Sequence, residues 1–509
     1  MVSKWGPLAQ YDWSVMAPEF TILAFATLIS LIDLFTHKDK DRRFLAWFGI
    51  VGSLLAGWFV FRNIGIGVVD LLNGSYRIDA YGNIFKLIFL GGTIFTLLMS
   101  INYLDRKEVL YQGEFYYLTL TALLGAMVMS SSADFITLFV GLELLSLSSY
   151  VLVGTRKNHL QSNESAFKYV VSGGIAAATT LYGISFLYGL SGTTNLFKMA
   201  DKLGAAYSAG NSTIIYLAFF LTFVGLSFKI SNVPYHMWTP DVYQGAPTPI
   251  TAFLSVVSKA AGFSLILRVF ITAFRGVVDY TSPLGPKSVL LSELALMIGI
   301  TAAVSMIVGN TLALRQTNVK RMMAYSSIAQ AGYILVPFAT LTSLVFEQTV
   351  FYLIAYLLMN MGVFAVIMIV NRDQNSEDVS SFAGLYHRAP FLAIAMTFFL
   401  LSLAGIPISA GFFGKFYIFM SALVMGNYWL SGIMVATSVV SYYYYFGIIR
   451  QMYMRGGTTE ARLPVPASIA VIVLIAFIGT VGFGLAPGAL MNFIHSNFPF
   501  MEIIQAGGK

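Results

Sequence analysis

Long runs of apolar residues, separated by short polar segments, recur along the whole chain of 509 residues. Each run holds about 20 residues, which is enough for an α-helix to cross the hydrocarbon core of a bilayer. The pattern therefore predicts an all-α polytopic membrane protein with about 14 transmembrane helices. The runs cover approximately residues 17–36, 44–61, 83–103, 114–130, 133–154, 165–190, 213–233, 249–275, 288–310, 319–342, 346–371, 390–423, 427–453 and 467–495.

Two of these predicted spans, the seventh and the twelfth, contain a proline inside a polar or glycine-containing stretch. Pro234 follows Lys229-Ile-Ser-Asn-Val, and Pro407 follows Gly405-Ile. Proline removes a backbone donor and clashes with the preceding helical turn, so we expect a broken helix at each position. Ordinary proline kinks are the alternative, since proline and glycine are common in membrane helices.

The spacing of the two breaks predicts an internal repeat. Pro234 and Pro407 are 173 residues apart, and the same offset carries the start of the fourth span onto the start of the ninth. A unit shifted by five helices must be inverted relative to the first, as in many secondary transporters. We expect a single membrane domain, 1–509, made of three N-terminal helices (17–103), two inverted five-helix repeats (114–275 and 288–453) and a C-terminal helix (467–495).

Composition supports the membrane assignment and limits the chemistry. The chain is 57% hydrophobic and 10% charged, whereas soluble domains are about 25% charged. It has no cysteine and five histidines, so it cannot hold a disulfide or a thiolate-ligated iron–sulfur cluster. Any electron transfer must then take place on another polypeptide.

The basic residues predict the orientation in the membrane. Sixteen of the 30 lie in loops on the same side as the first loop, and eight lie on the other side. The positive-inside rule places the richer side in the cytoplasm, so we expect both termini to be extracytoplasmic. The net charge of +7 then reflects topology and gives no reason to expect a nucleic-acid partner. The six remaining basic residues lie in or at the edges of the spans: Lys86, Lys168, Lys229, Lys259, Arg268 and Lys415.

One extracytoplasmic connection has a pattern of its own. Asn73-Gly74 lies between two short apolar runs within residues 68–81. Asn-Gly between such runs is a strong signal for a β-hairpin.

Four ionisable residues are expected at membrane depth, where a charge costs about 2.5–3.5 kcal/mol and marks a proton or ion path. Glu143 is near the middle of the fifth span, Lys229 precedes the first break, Lys259 is about ten residues into the eighth span, and Lys415 follows the second break. A carboxylate moving relative to Lys229 could switch its protonation. Structural alternatives are a buried acid satisfied by Ser146 and lysines that extend to the membrane surface.

Other charged or titratable residues are weaker candidates. His236 could relay protons or simply pack against its neighbours. Lys168 could also relay protons, although Lys168 and Lys86 lie near helix ends and are more simply explained by side chains that reach the membrane surface. Arg268 and Glu293 are expected at the interface.

Several segments resemble the antiporter-like membrane subunits of proton-pumping NADH:quinone oxidoreductase, respiratory complex I, and are most similar to the bacterial subunit N group. The segments are Phe228-Lys229-Ile-Ser-Asn-Val-Pro-Tyr-His-Met-Trp-Thr-Pro-Asp-Val-Tyr-Gln-Gly-Ala-Pro-Thr-Pro249, Leu142-Glu143-Leu-Leu-Ser-Leu-Ser-Ser-Tyr150, Arg321-Met-Met-Ala-Tyr-Ser-Ser-Ile-Ala-Gln-Ala-Gly332 and Leu403-Ala-Gly-Ile-Pro-Ile-Ser-Ala-Gly-Phe-Phe-Gly-Lys-Phe416. The resemblance covers essentially all fourteen predicted spans.

This resemblance implies a role for each of the buried charges. Glu143 and Lys229 would be a coupled pair, Lys259 the central relay and Lys415 the lysine on the exit side. It implies a translocase at the level of a complex in the bacterial plasma membrane, with this chain as one subunit of the membrane arm. No cofactor is expected on this chain, and FMN, iron–sulfur clusters and quinone would belong to partner subunits.

Two other functions remain open from the sequence. One is a subunit of an Mrp-type multisubunit cation/proton antiporter, whose large subunits share this ancestry. The other is a structural spacer in the membrane arm, in which the buried charges only hold helices together.

Overall fold

The structure is a computed structural model that describes residues 11–37, 40–104, 109–275, 278–279, 287–457 and 461–499. Each predicted apolar run contains at least one helix. The helices are α1 (Ala17–Phe35), α2 (Phe44–Arg62), α3 (Ala80–Tyr103), α4 (Gln112–Ser131), α5 (Phe135–Val153), α6 (Leu160–Ser191), α7 (Leu196–Ser208), α8 (Ser212–Ile230), α9 (Trp238–Gly245), α10 (Thr248–Phe253), α11 (Lys259–Ala273), α12 (Val289–Ala313), α13 (Val319–Thr340), α14 (Val345–Gln374), α15 (Leu385–Arg388), α16 (Pro390–Ala404), α17 (Ala410–Val424), α18 (Tyr428–Met454), α19 (Ala467–Leu485) and α20 (Pro487–Asn497).

The all-α polytopic fold is confirmed. Within the described residues, eleven helical segments are long and apolar enough to cross a membrane, and α16 and α17 are shorter apolar helices. α4 and α13 are not among the eleven, so the count of fourteen spans stays a prediction. Both termini, together with Lys4, Lys38, Arg106, Lys107 and Lys509, which entered the charge comparison, lie outside the described residues.

A β-hairpin marks one end of the helix bundle, which we call the hairpin end. Strands β1 (Val69–Leu71) and β2 (Tyr76–Ile78) pair antiparallel, with Asp70 opposite Arg77, so the predicted hairpin is confirmed. The Asn195 side chain, just before α7, donates to the Gly74 carbonyl at 2.8 Å. A second short antiparallel pair joins β3 (Val278–Asp279) and β4 (Lys287–Ser288).

The opposite end of the bundle is held by Lys320, at the start of α13. Its Nζ donates to the main-chain oxygens of Gln244 and Ala246 at 2.9 and 3.0 Å, and pairs with Glu377 at 2.9 Å. These contacts bring the loop between α9 and α10 and the segment after α14 to the same end.

Both predicted helix breaks are present. α8 ends at Ile230, and residues 231–237 connect it to α9. α16 ends at Ala404 and is followed by Gly405, whose φ of +88° is left-handed. α17 begins at Ala410, with the Ser409 side chain accepting the Phe412 amide proton at 3.3 Å. Glycine suits this turn because it adopts positive φ without steric cost.

Side chains from other elements form hydrogen bonds with backbone groups on either side of the first break. The Val233 amide donates to Ser305 Oγ of α12 at 2.9 Å, and the Trp238 indole donates to the Phe228 carbonyl at 3.2 Å. Backbone polar groups at membrane depth need such partners, because hydrocarbon offers none.

Two local features were not predicted. α7 is a 13-residue helix between the sixth and seventh spans, too short and too polar to appear as an apolar run. Between α10 and α11, residues Leu254–Ser258 form a π-helical turn that ends directly before Lys259. Such turns are rare and occur often at functional sites.

The expectation for Lys86 was wrong, whereas the interfacial position of Arg268 stays a prediction. Lys86 is fully buried and pairs with Glu19 of α1 at 2.7 Å, so it does not extend to the membrane surface. Arg268 is also fully buried, and both of its terminal nitrogens donate to Asp79 at 2.8 Å. Each cation meets a carboxylate from a helix or turn that is distant in sequence, which a single sequence does not reveal.

Candidate functional site

Lys229 is in the last turn of α8, directly before the first break, and its side chain is buried. Its Nζ donates to Ser146 Oγ of α5 at 3.0 Å. Ser146 lies three residues after Glu143, which is on the same face of an α-helix. In the described part of the chain, Glu143 and Lys229 do not form an ion pair, and Lys229 instead contacts Ser146, about one helical turn after Glu143.

Glu143 is partly exposed, and was expected to be well buried. Its neighbours along the same side of α5, Val140 and Leu147, are 58% and 57% exposed. Glu143 therefore lies on the outer surface of this chain, near the middle of α5. A carboxylate there would face lipid unless another protein covers it.

Lys259 is the first residue of α11 and is held by Ser327 of α13. Its Nζ donates to the Ser327 carbonyl at 2.6 Å and also contacts the Ser327 hydroxyl. The same hydroxyl is 3.0 Å from Tyr356 Oη and 3.3 Å from Tyr243 Oη. Ser327 thus joins the lysine to tyrosines from two further helices.

Lys229 and Lys259 lie on adjacent helices. A Cβ placed on Gly262, one turn after Lys259, would be 3.2 Å from Cγ of Lys229. The absence of a side chain at Gly262 lets α8 and α11 approach closely at the level of the two lysines.

Lys415 joins the two halves of the second broken helix. It is in α17, and its Nζ donates to the carbonyls of Leu403 and Ala404, at the end of α16, at 2.7 and 3.4 Å. The ammonium group also lies 4.4 Å from the ring centroid of Tyr333. The unpaired carbonyls at a helix C-terminus and the face of an aromatic ring both attract a cation.

Polar side chains of α13 connect the surroundings of Lys259 with those of Lys415. Ser326, next to Ser327, is 2.5 Å from Tyr445 Oη. Gln330, one turn later, donates to Tyr445 Oη at 3.4 Å and to the Leu403 carbonyl at 3.1 Å. Leu403 is also the acceptor for Lys415, so hydrogen bonds extend from Ser326 to Lys415. Ser326 is the sequence neighbour of Ser327, which holds Lys259.

The two weaker candidates lie apart from this set. Lys168 of α6 is 42% exposed and pairs with Asp241 at 2.7 Å and with Glu164 at 2.6 Å. Asp241 also pairs with Arg321 of α13 at 2.6 Å. His236 is partly buried in the connection between α8 and α9, next to the 80% exposed Met237.

The residues that hold the lysines were not singled out from the sequence. Ser326, Ser327, Gln330 and Tyr333 belong to a motif that supported the family resemblance but received no role. The available signal was their spacing, because polar residues three or four apart share one face of an otherwise apolar helix.

No group of three or more histidine, aspartate or glutamate side chains in the described part of the chain is placed to hold a metal ion. The site consists of lysines and hydroxyls, which can bind and pass protons, and of amides and carbonyls, which hold them by hydrogen bonds.

Comparison with known proteins gives the family. The family described as NADH:quinone oxidoreductase/Mrp antiporter, TM, matches residues 132–441. NADH-quinone oxidoreductase subunit N of Brevibacillus brevis is 59% identical over 495 residues, which cover 96% of each chain. The chain belongs to the subunit N family of NADH-quinone oxidoreductases. The resemblance found in the sequence is thereby confirmed.

Two solved structures contain chains that are similar to this one in fold. A chain of respiratory complex I from Thermus thermophilus is 30% identical, with a TM-score of 0.77 and coverage of 93% of this chain and 98% of that one. A chain of the Mrp complex from Dietzia sp. is 17% identical, with a TM-score of 0.78 and coverage of 96% and 98%. The second likeness shows a shared fold only.

Proposed function

We propose that this chain is a membrane-arm subunit of a proton-pumping NADH:quinone oxidoreductase and carries protons across the membrane. Relatives at up to 59% identity are named subunit N of that enzyme, which supports the membrane-arm role. The activity belongs to the complex, and this chain contributes proton transfer.

The observation that carries the proposal is how the three lysines are held. In the described part of the chain, Lys229, Lys259 and Lys415 are hydrogen-bonded to hydroxyl and carbonyl oxygens, and none of them pairs with a carboxylate. An ion pair with a carboxylate stabilises an ammonium group more strongly than neutral oxygens do. The three lysines lack such a partner and are thus placed to exchange protons, whereas Lys86 contacts Glu19 at 2.7 Å.

We infer a path in which redox energy from partner subunits changes the interaction of Glu143 with Lys229, and a proton then passes by Lys259 to Lys415. Support comes from the bond of Lys229 to Ser146, about one turn from Glu143, from the contact of α8 with α11 at Gly262, and from the hydrogen bonds made by α13. Within the residues that the structure describes, His236 and Lys168 have no such contact with the lysines, so we assign them a peripheral role.

The exposed position of Glu143 supports a partner subunit against α5. A midplane carboxylate facing lipid is costly, and a neighbouring subunit of the membrane arm would cover it. We infer that FMN, iron–sulfur clusters and the quinone site belong to such partners, since this chain has no cysteine to ligate a cluster.

The two five-helix repeats, residues 114–275 and 288–453, and the orientation with extracytoplasmic termini remain part of the proposal. The breaks support inversion, because α8 approaches its break from the hairpin end and α16 approaches its break from the opposite end. The hairpin end would then face the outside of the cell.

An Mrp-type antiporter subunit is the less supported alternative. The family description names both classes, but the Mrp likeness has 17% identity and the subunit N likeness reaches 59%. Purification of the intact complex separates them: flavin and iron–sulfur subunits favour the oxidoreductase, and small hydrophobic subunits alone favour the antiporter.

The proposal is tested with Lys229→Ala and Lys229→Arg in the intact complex, reconstituted into sealed vesicles. Arginine keeps the charge but does not release its proton. We expect both variants to assemble and to lose proton pumping coupled to quinone reduction. A normal proton-to-electron ratio in both variants would refute the proposal, and full activity of Lys229→Arg alone would favour a structural spacer.

A further inference from the structure

α14 carries a stripe of polar side chains along one face. The stripe consists of Gln348, Tyr352, Tyr356 and Asn360, which are spaced four residues apart and are all buried. Over twelve residues the stripe extends about 18 Å along the helix axis. It is the polar face of a helix that is otherwise strongly apolar.

Each member of the stripe is hydrogen-bonded to a different position on another helix or turn. Asn360 donates to Ser255 of the π-helical turn at 2.8 Å, and Tyr356 donates to Ser327 of α13 at 3.0 Å. Tyr352 donates to Gln330 of α13, and Gln348 donates to Ser421 of α17.

The stripe passes both relay lysines. Ser327, the partner of Tyr356, also holds Lys259, and Gln330, the partner of Tyr352, shares the Leu403 carbonyl with Lys415. Beyond this level the stripe continues by one turn, through Gln348, toward the hairpin end. The polar side chains therefore extend past Lys415 and toward one surface of the bundle.

A buried carboxylate stands at that end of the stripe. Glu347, adjacent to Gln348, is in the first turn of α14 and its side chain is 5% exposed. Its Oε1 lies 3.4 Å from Nδ1 of His495 on α20, and His495 is 73% exposed. In the described part of the chain, Oε2 of Glu347 and Oε1 of Gln348 have no hydrogen-bond partner. An acid buried in this way, beside a group that meets water, is placed to exchange protons.

We propose that Glu347 is the terminal proton acceptor of this subunit, reached from Lys415 along the contact of α14 with α17. This inference rests on the proposed function of the lysines. The ammonium of Lys415 releases a proton and becomes a neutral amine, and the proton passes toward the hairpin end by water and the Ser421 hydroxyl of α17, which Gln348 contacts. The Glu347 carboxylate takes up the proton to become a neutral acid and then gives it to water beside His495. No other co-reactant is needed.

A structural role would make different predictions. If Glu347 only ties α20 to α14 through His495, removing either partner should have the same effect. If Glu347 carries protons, its carboxyl group is essential and the exposed His495, which water can replace, is not.

The test uses Glu347→Gln, Glu347→Asp and His495→Ala in the intact complex, in sealed vesicles. We expect Glu347→Gln to lower the coupled pumping rate about tenfold, since it keeps the shape but cannot titrate. Glu347→Asp should recover most of the rate, and His495→Ala should retain it. Equal losses in Glu347→Gln and His495→Ala, or a normal rate in Glu347→Gln, would overturn the proposal.

Glu114→Gln is the matched control. Glu114 is also a glutamate in the first turn of a helix, α4, but at the opposite end of the bundle. It should leave pumping unchanged. Lys229→Ala is measured in the same vesicles to separate the two proposals. If Lys229→Ala impairs pumping and Glu347→Gln does not, only the proposal for the terminal acceptor is refuted.

Discussion

The ammonium of Lys229 and the hydroxyl of Ser146 are joined by a hydrogen bond of 3.0 Å between α8 and α5. Ser146 also donates to the Leu142 carbonyl at 2.7 Å, so its hydroxyl is held in one orientation. The side chain of α5 that contacts Lys229 is therefore a neutral hydroxyl, although Glu143 lies about one helical turn away on the same helix.

Ser146→Ala should slow coupled proton pumping several-fold while leaving assembly intact. The substitution removes the acceptor of the Lys229 proton and leaves a buried ammonium without that partner, a change that costs about 1–3 kcal/mol. Pumping in sealed vesicles measures the effect. Ser149→Ala is the control, since Ser149 is buried on the same helix and donates only to the Leu145 carbonyl. Equal rates in the two variants would remove Ser146 from the path.

Ser327→Ala should impair pumping more than Ser146→Ala does. The Ser327 hydroxyl serves Lys259, Tyr356 and Tyr243, so three buried polar groups lose a partner at once. The pumping rate, normalised to the amount of assembled complex, is the measurement. Ser264→Ala is a matched change on α11, because the Ser264 hydroxyl donates to the Ala261 carbonyl alone. A Ser327→Ala rate equal to that of Ser264→Ala would contradict this role.

The buried pair of Arg268 and Asp79 should matter for stability and not for proton transfer. Asp79→Ala leaves a buried guanidinium without its carboxylate, which typically costs about 3–5 kcal/mol. We expect a lower thermal unfolding midpoint and less of the subunit in the purified complex. Adding Arg268→Met to Asp79→Ala should recover part of the loss, because only Arg77, 3.7 Å from Asp79 in the unaltered protein, then lacks this carboxylate. Asp70→Ala, at the 36% exposed Asp70, should have little effect.

The stability of the link between α6, α9 and α13 should depend on pH through Asp241, which lies outside the membrane-spanning segments. Burial raises the pKa of Asp241, but hydrogen bonds and charges from Lys168 and Arg321 outweigh burial and leave the pKa below its ordinary value of 3.8. The carboxylate therefore stabilises the fold above that value, and this contribution is lost as the pH falls through the lowered pKa.

Asp241→Asn should thus lower the thermal midpoint of the complex at neutral pH. The difference from the unaltered protein should shrink as the pH falls below the ordinary carboxyl pKa of about 4. Thermal unfolding in detergent over a pH series measures this. Glu164→Gln serves for comparison, because the 55% exposed Glu164 should contribute little. A midpoint difference that is independent of pH would contradict the role of the carboxylate.

The fold was largely predictable because its two strongest signals are local. Apolar runs give the helices, and the segments around Pro234 and Pro407 give the breaks. α7 was not predicted because it lies outside the apolar runs. The π-helical turn was not predicted because residues 254–258 have no distinctive composition.

The lysines of the site were predictable, but their partners were not. A lysine in an apolar run is conspicuous in a sequence, whereas Ser327 or Gln330 becomes significant only when α13 is placed between α11 and α16. Lys86 was misjudged for the same reason, since Glu19 reaches it from another helix. Glu143 was expected to be buried because its position along α5 is visible in the sequence, but the direction of its side chain is not.

The π-helical turn at Leu254–Ser258 means that the number of residues before Lys259, as well as their identity, determines where this lysine points. One residue corresponds to about 100° of rotation around an α-helix. Winding the same five residues as α-helix would rotate Lys259 by close to one residue's angle relative to α10 and away from Ser327, although every functional group would still be present. The register of one helix is thus itself part of the path, and a change of register could open or close it without altering any side chain.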